Sequence, residues 1–519
     1  MELKPQRGDI LDRNYRKLAL DHSVYSVFAA PRKISADRKD SVAQALSKVL
    51  GLDKGLVLSR IEKDKAFVWI KRELDKDLSD AVEALNIDGV ELLKEYKRFY
   101  PKGSLASHII GFAGLDDTGL EGVELEYDSY LKGSPGWRWT VRDAKRRNIF
   151  SGDVKSIPPS EGLNVILTID ETIQHIAERE LEKVFEKYRA KSASIIIMDP
   201  HTGEILALAN RPTFDLNDFS RSTKDQMRNR AVTDLYEPGS VFKIVTASCA
   251  IENRAVELDQ EFFCENGKYR VGGRILHDHK PYATLTFREI FEKSSNIGVT
   301  KVAEVLGRDE IYKFSRLFGF GDLTGIDLPG EAVGILRPPR EWSAVSISAV
   351  PIGQEVGVTS IQLVTAVSAI ANGGRLLRPH IVKEIRNANG DLIKAFSLQE
   401  SKRVLSRESA KIIRDILKGV VENGTGRNAK ADSYTTAGKT GTAQKIESGG
   451  GYSHSKFVAS FLGFAPAESP KIAIIVSLDE PRPVYYGGLV SAPVFRNVAV
   501  DVLRYLNVPA DKAKEETRI

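Results

Sequence analysis

The spacing of apolar and polar positions predicts an N-terminal module of alternating short strands and charged helices. Residues 66–70 have the β-branched and aromatic composition of a strand, and residues 75–85 carry apolar positions at helical spacing. Residues 156–162 are rich in proline, serine and glycine, which is typical of a linker. We therefore expect residues 1–157 to form a separate α+β module.

The pattern after the linker predicts one larger domain. A strand at residues 164–168 is followed by a helix whose apolar face contains Ile173, Ile176, Ala177, Leu181, Val184 and Phe185. Two apolar runs around a turn at residues 199–203 predict a hairpin. Later elements are strands at residues 435–443, 457–464 and 471–478 and a last helix from about Ala492. We expect an antiparallel sheet flanked by helices, an α/β (α+β) domain, over residues 158–510, and a charged C-terminal tail over residues 511–519.

A buried helix in this domain begins at a serine and carries a single charge. A Glu-Pro-Gly turn precedes Ser240, and the run 241–251 is apolar almost all round except for Lys243. Residues three apart share a helix face, so the Lys243 amine can reach the Ser240 hydroxyl. A lysine that burial holds neutral can take the serine proton, and the N–H groups at the helix start favour developing negative charge. The alternative is a serine N-cap with a lysine that extends to the surface.

A second polar motif, Ser294-Ser295-Asn296, follows an amphipathic helix predicted at residues 285–293. Its hydroxyl and amide groups both donate and accept hydrogen bonds, as is needed to pass a proton to a leaving amine and to hold a substrate amide. In isolation, this triplet would favour the alternative interpretation, a helix C-terminus with small polar residues.

The third motif, Lys439-Thr440-Gly441-Thr442, lies in a predicted strand with glycine on both sides of the lysine. Glycine lets another backbone approach closely, so such an edge strand can pair with an extended peptide while Lys439 attracts a carboxylate. The alternative is a weak edge strand or a loop with a solvated lysine. Strict alternation puts Lys439 and Thr442 on opposite faces, so we expect a twist or bulge between them if both contact a substrate.

The ordered set of motifs is far more specific than any one member. Ser-x-x-Lys also occurs at Ser129–Lys132 and Ser453–Lys456, so this motif alone is weak. Ser-x-x-Lys, Ser-x-Asn and Lys-Thr-Gly in this order characterise penicillin-binding proteins and serine β-lactamases, which acylate a serine.

With these motifs the chain resembles the class B penicillin-binding proteins, the peptidoglycan D,D-transpeptidases, over nearly its whole length. Residues 7–14, 98–101 and 119–124 resemble elements of the family's N-terminal module. The residues around Ser240 and Ser294 resemble those of the division-specific, FtsI-type branch. The resemblance implies a β-lactamase-like transpeptidase domain on an N-terminal, dimerisation-like pedestal.

The resemblance also implies roles for individual residues. The catalytic residues would be Ser240 as the acylated nucleophile, Lys243 as its base, and Ser294, Asn296 and Lys439. Ser295, Thr440, Gly441 and Thr442 would contact the substrate. The backbone N–H groups of Ser240 and Thr442 would form the oxyanion hole. We expect no cofactor and no metal.

Composition agrees with this assignment. A chain of 519 residues with 42% hydrophobic and 28% charged residues is long enough for two or more domains. The net charge of +5 is small and no dense basic run is present, so we do not expect nucleic acid as a partner. Two cysteines, Cys249 and Cys264, favour unpaired thiols. The cluster His277-Asp278-His279 has too few ligands at the spacing of a metal site, and we expect a polar loop there.

The expected location follows from the resemblance. No apolar stretch approaches the roughly 18 residues that a membrane span needs, and no signal peptide is recognisable. The family normally carries an N-terminal anchor just before the segment corresponding to residues 7–14. We therefore expect an extracytoplasmic, periplasmic protein whose anchor to the cytoplasmic membrane is absent from this chain.

Several functions are compatible with the motifs. The leading hypothesis is a D,D-transpeptidase that cross-links stem peptides in septal wall synthesis and is inhibited by β-lactams, with an elongation-specific enzyme as the alternative. Less favoured are a β-lactamase, which resembles a single domain, a β-lactam sensor, and a non-catalytic scaffold with a degenerate site. By resemblance, the partners would be peptidoglycan stem peptides, β-lactams, a SEDS-family glycan polymerase and other divisome proteins.

Overall fold

The computed structural model describes residues 2–138, 156–396, 402–447 and 449–512, and two large sheets organise them. The first sheet has seven strands, six of them in one path, Leu392–Ala395, Val382–Arg386, Asn164–Leu167, Ile10–Leu11, Lys17–Ala29 and Val68–Leu74, with Val90–Phe99 paired to Lys17–Ala29. The second sheet has five strands in the order Ile205–Arg211, Ser192–Met198, Ile472–Asp479, Tyr452–Ala465 and Ala437–Ile446.

Three helices pack on one face of the N-terminal strands. They are Lys39–Leu50, Lys54–Ile61 and Lys76–Ala84, and their apolar side chains share a core with Val27 and Ile70. The strand predicted at residues 66–70 begins two residues later, at Val68. The predicted helix at 75–85 is confirmed, and Asp75 is its N-cap, accepting a hydrogen bond from the Leu78 N–H at 2.9 Å.

The three N-terminal segments that carry the family resemblance meet in one buried ion cluster. The Arg7 side chain donates from Nε to Glu124 and from Nη1 to Asp128, both at 2.7 Å. Arg98 donates from Nε to the other oxygen of Glu124 at 2.6 Å and contacts Asp21 at 3.2 Å. Arg7 is 1% and Glu124 0% exposed, so each charge depends on its partners for stabilisation.

The first sheet joins the N-terminal module to the rest of the chain. Asn164–Leu167 lies after the predicted linker, and it pairs in parallel with Ile10–Leu11 and antiparallel with Val382–Arg386. Gly8 passes so close to Leu163 that an added Cβ would lie 1.9 Å from the Leu163 carbonyl oxygen. The start of the chain is therefore held by backbone contacts that leave no room for a side chain.

The second sheet is antiparallel throughout and buried on both faces, which confirms the predicted sheet flanked by helices. Along the strand Ser192–Met198, Ile195 and Ile197 pack with the helices Glu171–Lys187 and Ala492–Tyr505. Ile196 and Met198 face the opposite core. The helices of that opposite core are Lys243–Glu252, Phe287–Lys293, Asn296–Leu306, Arg308–Leu317, Ser360–Ala371 and Arg407–Glu422.

Small elements complete the region around the nucleophile. A hairpin joins Lys268–Val271 to Arg274–His277, and Glu261–Phe263 pairs with Thr284–Thr286. Cys249 and Cys264 are both buried and unpaired.

Within the described ranges, no helix combines the length and apolar character that a bilayer crossing requires. The predicted tail is described only as far as Lys512, and residues 513–519 lie outside the described residues.

Candidate active site

Ser240 lies in a single turn of 3₁₀ helix, Gly239–Phe242, which leads directly into the α-helix Lys243–Glu252. The sequence predicted one helix over residues 241–251, and the structure starts it with this tighter turn. Gly239 has a φ of +56°, which favours glycine, and its N–H donates to the Gly353 carbonyl at 3.1 Å. The turn holds Ser240 at the surface of a cleft while the helix behind it is buried.

Lys243 is 0% exposed, and its amine is held by the second motif. Nζ donates to the Ser294 carbonyl at 2.7 Å, to the Asn296 side-chain oxygen at 2.8 Å and to the Ser294 hydroxyl at 3.3 Å. Burial lowers the pKa of Lys243 to about 7, while the negative charge of Asp278 acts in the opposite direction. No hydrogen bond joins this amine to Ser240 among the described residues.

Ser294 connects the two lysines of the site. It ends the helix Phe287–Lys293 in a left-handed conformation, with a φ of 59°. This conformation ends the helix and turns the chain into the next helix, Asn296–Leu306. The Lys439 amine donates to the Ser294 hydroxyl at 2.8 Å. A proton can thus move between the lysines and a group in the cleft through one hydroxyl.

Lys439 is buried as deeply as Lys243, with 1% exposure. Burial lowers the pKa of Lys439 well below its ordinary value, and the positive charge of Lys243 lowers it further. Two ammonium groups that share one hydroxyl repel each other, so protonation of one lysine disfavours protonation of the other.

The strand that carries Lys439 contributes to the site from both faces. Thr440, Thr442 and Gln444 alternate along the face that lines the cleft, while Lys439 reaches Ser294 from the other face. The pairing with Tyr452–Ala465 is regular from Ala437 to Gln444, and the register shifts only between Gln444 and Ile446. The register therefore contains no bulge between Lys439 and Thr442, and the long lysine side chain reaches Ser294 without one. The expected twist or bulge applied only if both residues contact a substrate, and it stays a prediction.

Gly441 allows the strand to approach the nucleophile turn. A Cβ at Gly441 would lie 2.3 Å from the Ser460 hydroxyl oxygen and 3.1 Å from the Pro238 carbonyl oxygen. Thr442 is fixed by the Gly487 N–H, which donates to its hydroxyl at 3.1 Å. The strand thus packs closely against the turn that presents Ser240.

The cleft has a volume of about 770 Å³. Ser240, Ser294, Asn296, Thr440 and Thr442 line it, so five of the nine residues that the sequence singled out meet there. Four aromatic side chains that the sequence did not single out line the same cleft: Tyr282, Phe457, Tyr485 and Tyr486. The rings of Phe457 and Tyr485 stack with centroids 4.0 Å apart.

Ser295 has a structural position. It is 1% exposed and caps the helix Asn296–Leu306, its hydroxyl accepting from the Gly298 N–H at 2.9 Å and donating to Asp278 at 2.6 Å. The resemblance assigned the Ser295 hydroxyl to substrate binding, but in the structure this hydroxyl is buried and stabilises the start of the helix. Asp278 was expected in a polar loop, and no signal near the motif in sequence indicated this contact.

The two other Ser-x-x-Lys segments have different surroundings. Lys132 is exposed and pairs with Asp128 at 3.8 Å, and Lys456 pairs with Glu447 at 3.4 Å. The Ser453 hydroxyl is buried and accepts from the backbone N–H groups of two following residues. Neither lysine is desolvated, so neither has the environment that activates a serine.

Two domain families match this sequence. The profile of the penicillin-binding protein transpeptidase domain matches residues 193–499, and that of the penicillin-binding protein dimerisation domain matches residues 2–167. The chain is 38% identical to the Stage V sporulation protein D of Bacillus subtilis, over 100% of this chain and 81% of that protein. It is 32% identical to the peptidoglycan D,D-transpeptidase FtsI of Escherichia coli, over 98% of this chain and 85% of that protein.

A solved structure agrees over the same length. Penicillin-binding protein 3 of Mycobacterium tuberculosis, complexed with aztreonam, superimposes with a TM-score of 0.78 at 29% identity, covering 99% of both chains. The chain therefore belongs to the class B penicillin-binding proteins, the peptidoglycan D,D-transpeptidases, and is a serine-type acyltransferase.

Proposed function

We propose that this protein cross-links peptidoglycan stem peptides through an acyl-enzyme on Ser240. The observation that carries the proposal is the desolvated amine of Lys243, held by Ser294 and Asn296 at the base of the cleft that Ser240 lines. A pKa of about 7 leaves a large fraction of this amine neutral at physiological pH, and a neutral amine can act as a base.

In the acylation step, the Ser240 oxygen attacks the carbonyl carbon of the D-Ala-D-Ala peptide bond while Lys243 accepts the hydroxyl proton. The backbone N–H groups of Ser240 and Thr442 stabilise the oxyanion that forms. The proton then passes through the Ser294 hydroxyl to the leaving D-Ala amine as the C–N bond breaks. Lys439, hydrogen-bonded to the same hydroxyl, assists this transfer.

In the second step, an amine of a neighbouring stem peptide attacks the Ser240 ester. Its proton returns through the same groups to the Ser240 oxygen as the ester bond breaks, which restores the free enzyme. Thr440 and Thr442 present hydroxyl groups on the cleft face of the strand, where a terminal carboxylate can accept hydrogen bonds from them.

A β-lactam acylates the same serine, and the lifetime of this adduct separates a transpeptidase from a β-lactamase. We expect a fluorescent penicillin to label the purified protein once and to remain bound long after free penicillin is removed. Stem-peptide substrate in place of penicillin should give cross-linked product with release of D-Ala. Rapid, repeated penicillin hydrolysis without cross-linking would contradict the proposal.

The cross-linking activity of this protein acts in septal wall synthesis. The residues around Ser240 and Ser294 resemble the division branch, and the relatives include FtsI at 32% identity. A second candidate is wall synthesis in sporulation, favoured by 38% identity to a protein named for that process. Depletion in growing cells distinguishes the roles: filaments without septa support the septal role, and rounded cells indicate elongation. Normal growth with failed spore formation indicates sporulation.

The pedestal, residues 1–157, contacts a membrane-embedded glycan polymerase of the SEDS family and holds the transpeptidase domain, residues 158–510, on the outer side of the cytoplasmic membrane. The pedestal supplies none of the catalytic groups, so a partner-binding role explains its presence. Charge reversal at exposed Glu83 should leave penicillin acylation of the purified protein unchanged and impair wall synthesis in cells.

The matched control for this test is Glu186→Lys, which reverses an exposed charge in the last turn of a transpeptidase-domain helix. This control should support growth. If every pedestal variant that fails in cells also loses folding or Ser240 acylation to the same degree, the partner role is contradicted.

A further inference from the structure

The loop after the strand Arg274–His277 approaches the start of the helix Asn296–Leu306, where it contacts Ser295, Asn296 and Ile297. Asp278 accepts three hydrogen bonds there, from the Ser295 hydroxyl at 2.6 Å, from the Ile297 N–H at 3.1 Å and from the Asn296 N–H. A carboxylate that accepts several N–H and O–H groups at a helix start is held firmly and favours the helix end.

The neighbouring backbone fixes the amide of Asn296. The Asn296 side-chain NH₂ donates to the His277 carbonyl at 3.0 Å. With its nitrogen held on that side, the amide presents its oxygen to Lys243, which donates to it at 2.8 Å. His277 and Asp278 therefore determine together which atom of Asn296 faces the catalytic amine.

Asp278 also acts on the charge of the site. Its carboxylate favours the protonated form of the buried Lys243 and so opposes the desolvation that lowers the pKa of this amine. The other titratable groups around Asp278 are Cys264 and Tyr282, whose pKa values are raised, and the imidazoles of His277 and His279 in the same loop.

We propose that Asp278 is a positioning residue of the acylation reaction, which holds Asn296 against the Lys243 amine and supplies the negative charge that balances this amine. The inference rests on the proposed function of Ser240 and Lys243. It adds a residue from the loop after a hairpin to a set of catalytic residues that otherwise all lie in the three motifs.

Asp278→Asn removes the charge and leaves a side chain of nearly the same shape. Its amide cannot accept all three hydrogen bonds, so we expect the limiting rate of penicillin acylation to fall about tenfold or more. Because the counter-charge of Lys243 is lost, the acid limb of the pH–rate profile should move to lower pH. The matched control is Asp259→Asn, which removes an exposed carboxylate from the turn before the strand Glu261–Phe263. This control should behave as wild type.

Asp278→Glu separates position from charge. The retained carboxylate should keep the acid limb near its wild-type pH, while the extra methylene displaces Asn296 and lowers the limiting rate. This variant also carries the test if Asp278→Asn does not fold, as judged by thermal unfolding. A purely structural role of Asp278 would lower stability without moving the acid limb.

The proposal is overturned if folded Asp278→Asn has the limiting rate and acid limb of wild type. It is also overturned if Asp278→Glu retains the wild-type limiting rate or shifts the acid limb as asparagine does. Failure of the proposed function would look different, because wild type and the Asp259→Asn control would then form no Ser240 adduct at any pH.

Discussion

At the scale of single residues, the chemistry depends on burying two lysines beside one hydroxyl. Lys243 and Lys439 both donate to Ser294, and both have lowered pKa values because the protein removes their hydration. A lysine on the surface stays protonated and cannot accept the Ser240 proton. Burying these amines costs free energy, but the same burial provides the neutral amine that activates Ser240.

Lys243→Arg tests the role of the base. The guanidinium keeps the positive charge but is not deprotonated in proteins, so penicillin acylation should fall by about 10²–10⁴-fold. Second-order acylation rates with a fluorescent penicillin measure the effect. Lys456→Arg, which alters the lysine of another Ser-x-x-Lys segment, should leave the rate unchanged. A Lys243→Arg rate within about tenfold of wild type would mean that the amine is not the base.

The pH dependence of acylation should report the titration of Lys243. The reactive form is the neutral amine, which predominates above the pKa of about 7 and is depleted below it. The acylation rate should therefore rise as pH increases through this region and fall about tenfold per pH unit well below it. A rate that is flat from pH 5 to 9, about two units either side of that pKa, would contradict a titrating base.

At the scale of elements, the sequence was informative where a pattern is local. The alternation of the strand Ala437–Ile446 was predicted, including the opposite faces of Lys439 and Thr442. Gln444 on the cleft face follows from the same alternation, although the sequence analysis did not single it out. The Asp278 contact could not be predicted, because it depends on how a hairpin folds over a helix start. Likewise, nothing local showed that Asn164–Leu167 pairs with Ile10–Leu11.

Gly438→Ala tests how closely the strands must pack. A Cβ at this position would lie 2.6 Å from the Leu462 carbonyl oxygen, so the strand must move away from its neighbour. We expect a loss of about 1–3 kcal/mol in the free energy of unfolding, together with slower acylation because Lys439 is displaced. Gly449→Ala, in the loop that follows the same strand, has nothing within 4 Å and should change stability by less than about 0.5 kcal/mol. Equal stability of both variants would contradict the close packing.

At the scale of the whole molecule, the two modules share one sheet, and a buried ion cluster joins separate segments of the N-terminal module. The segments around Arg7, Arg98 and Glu124 lie far apart in the sequence, and the fold brings them into one buried network. The family resemblance indicated that these segments matter, but not that they contact one another. Long-range ion pairs of this kind leave no periodic signal in the sequence.

Arg7→Ala tests the importance of this network. The variant leaves Glu124 buried beside a single remaining arginine, and we expect a loss of about 3–5 kcal/mol in the free energy of unfolding. Denaturant unfolding of the purified protein measures it. Arg38→Ala removes an exposed arginine from the same module and should change stability by less than about 0.5 kcal/mol. A loss for Arg7→Ala as small as that of the control would show that the network contributes little.

Mapping the acylated residue is the decisive test that Ser240 is the nucleophile. The protein is incubated with a penicillin, its intact mass is measured, and the modified peptide is mapped. We expect one adduct, an ester on Ser240, that is absent from Ser240→Ala, because Ser240 has a desolvated lysine one turn away. An adduct on Ser129 or Ser453, or no adduct on a folded protein, would contradict it.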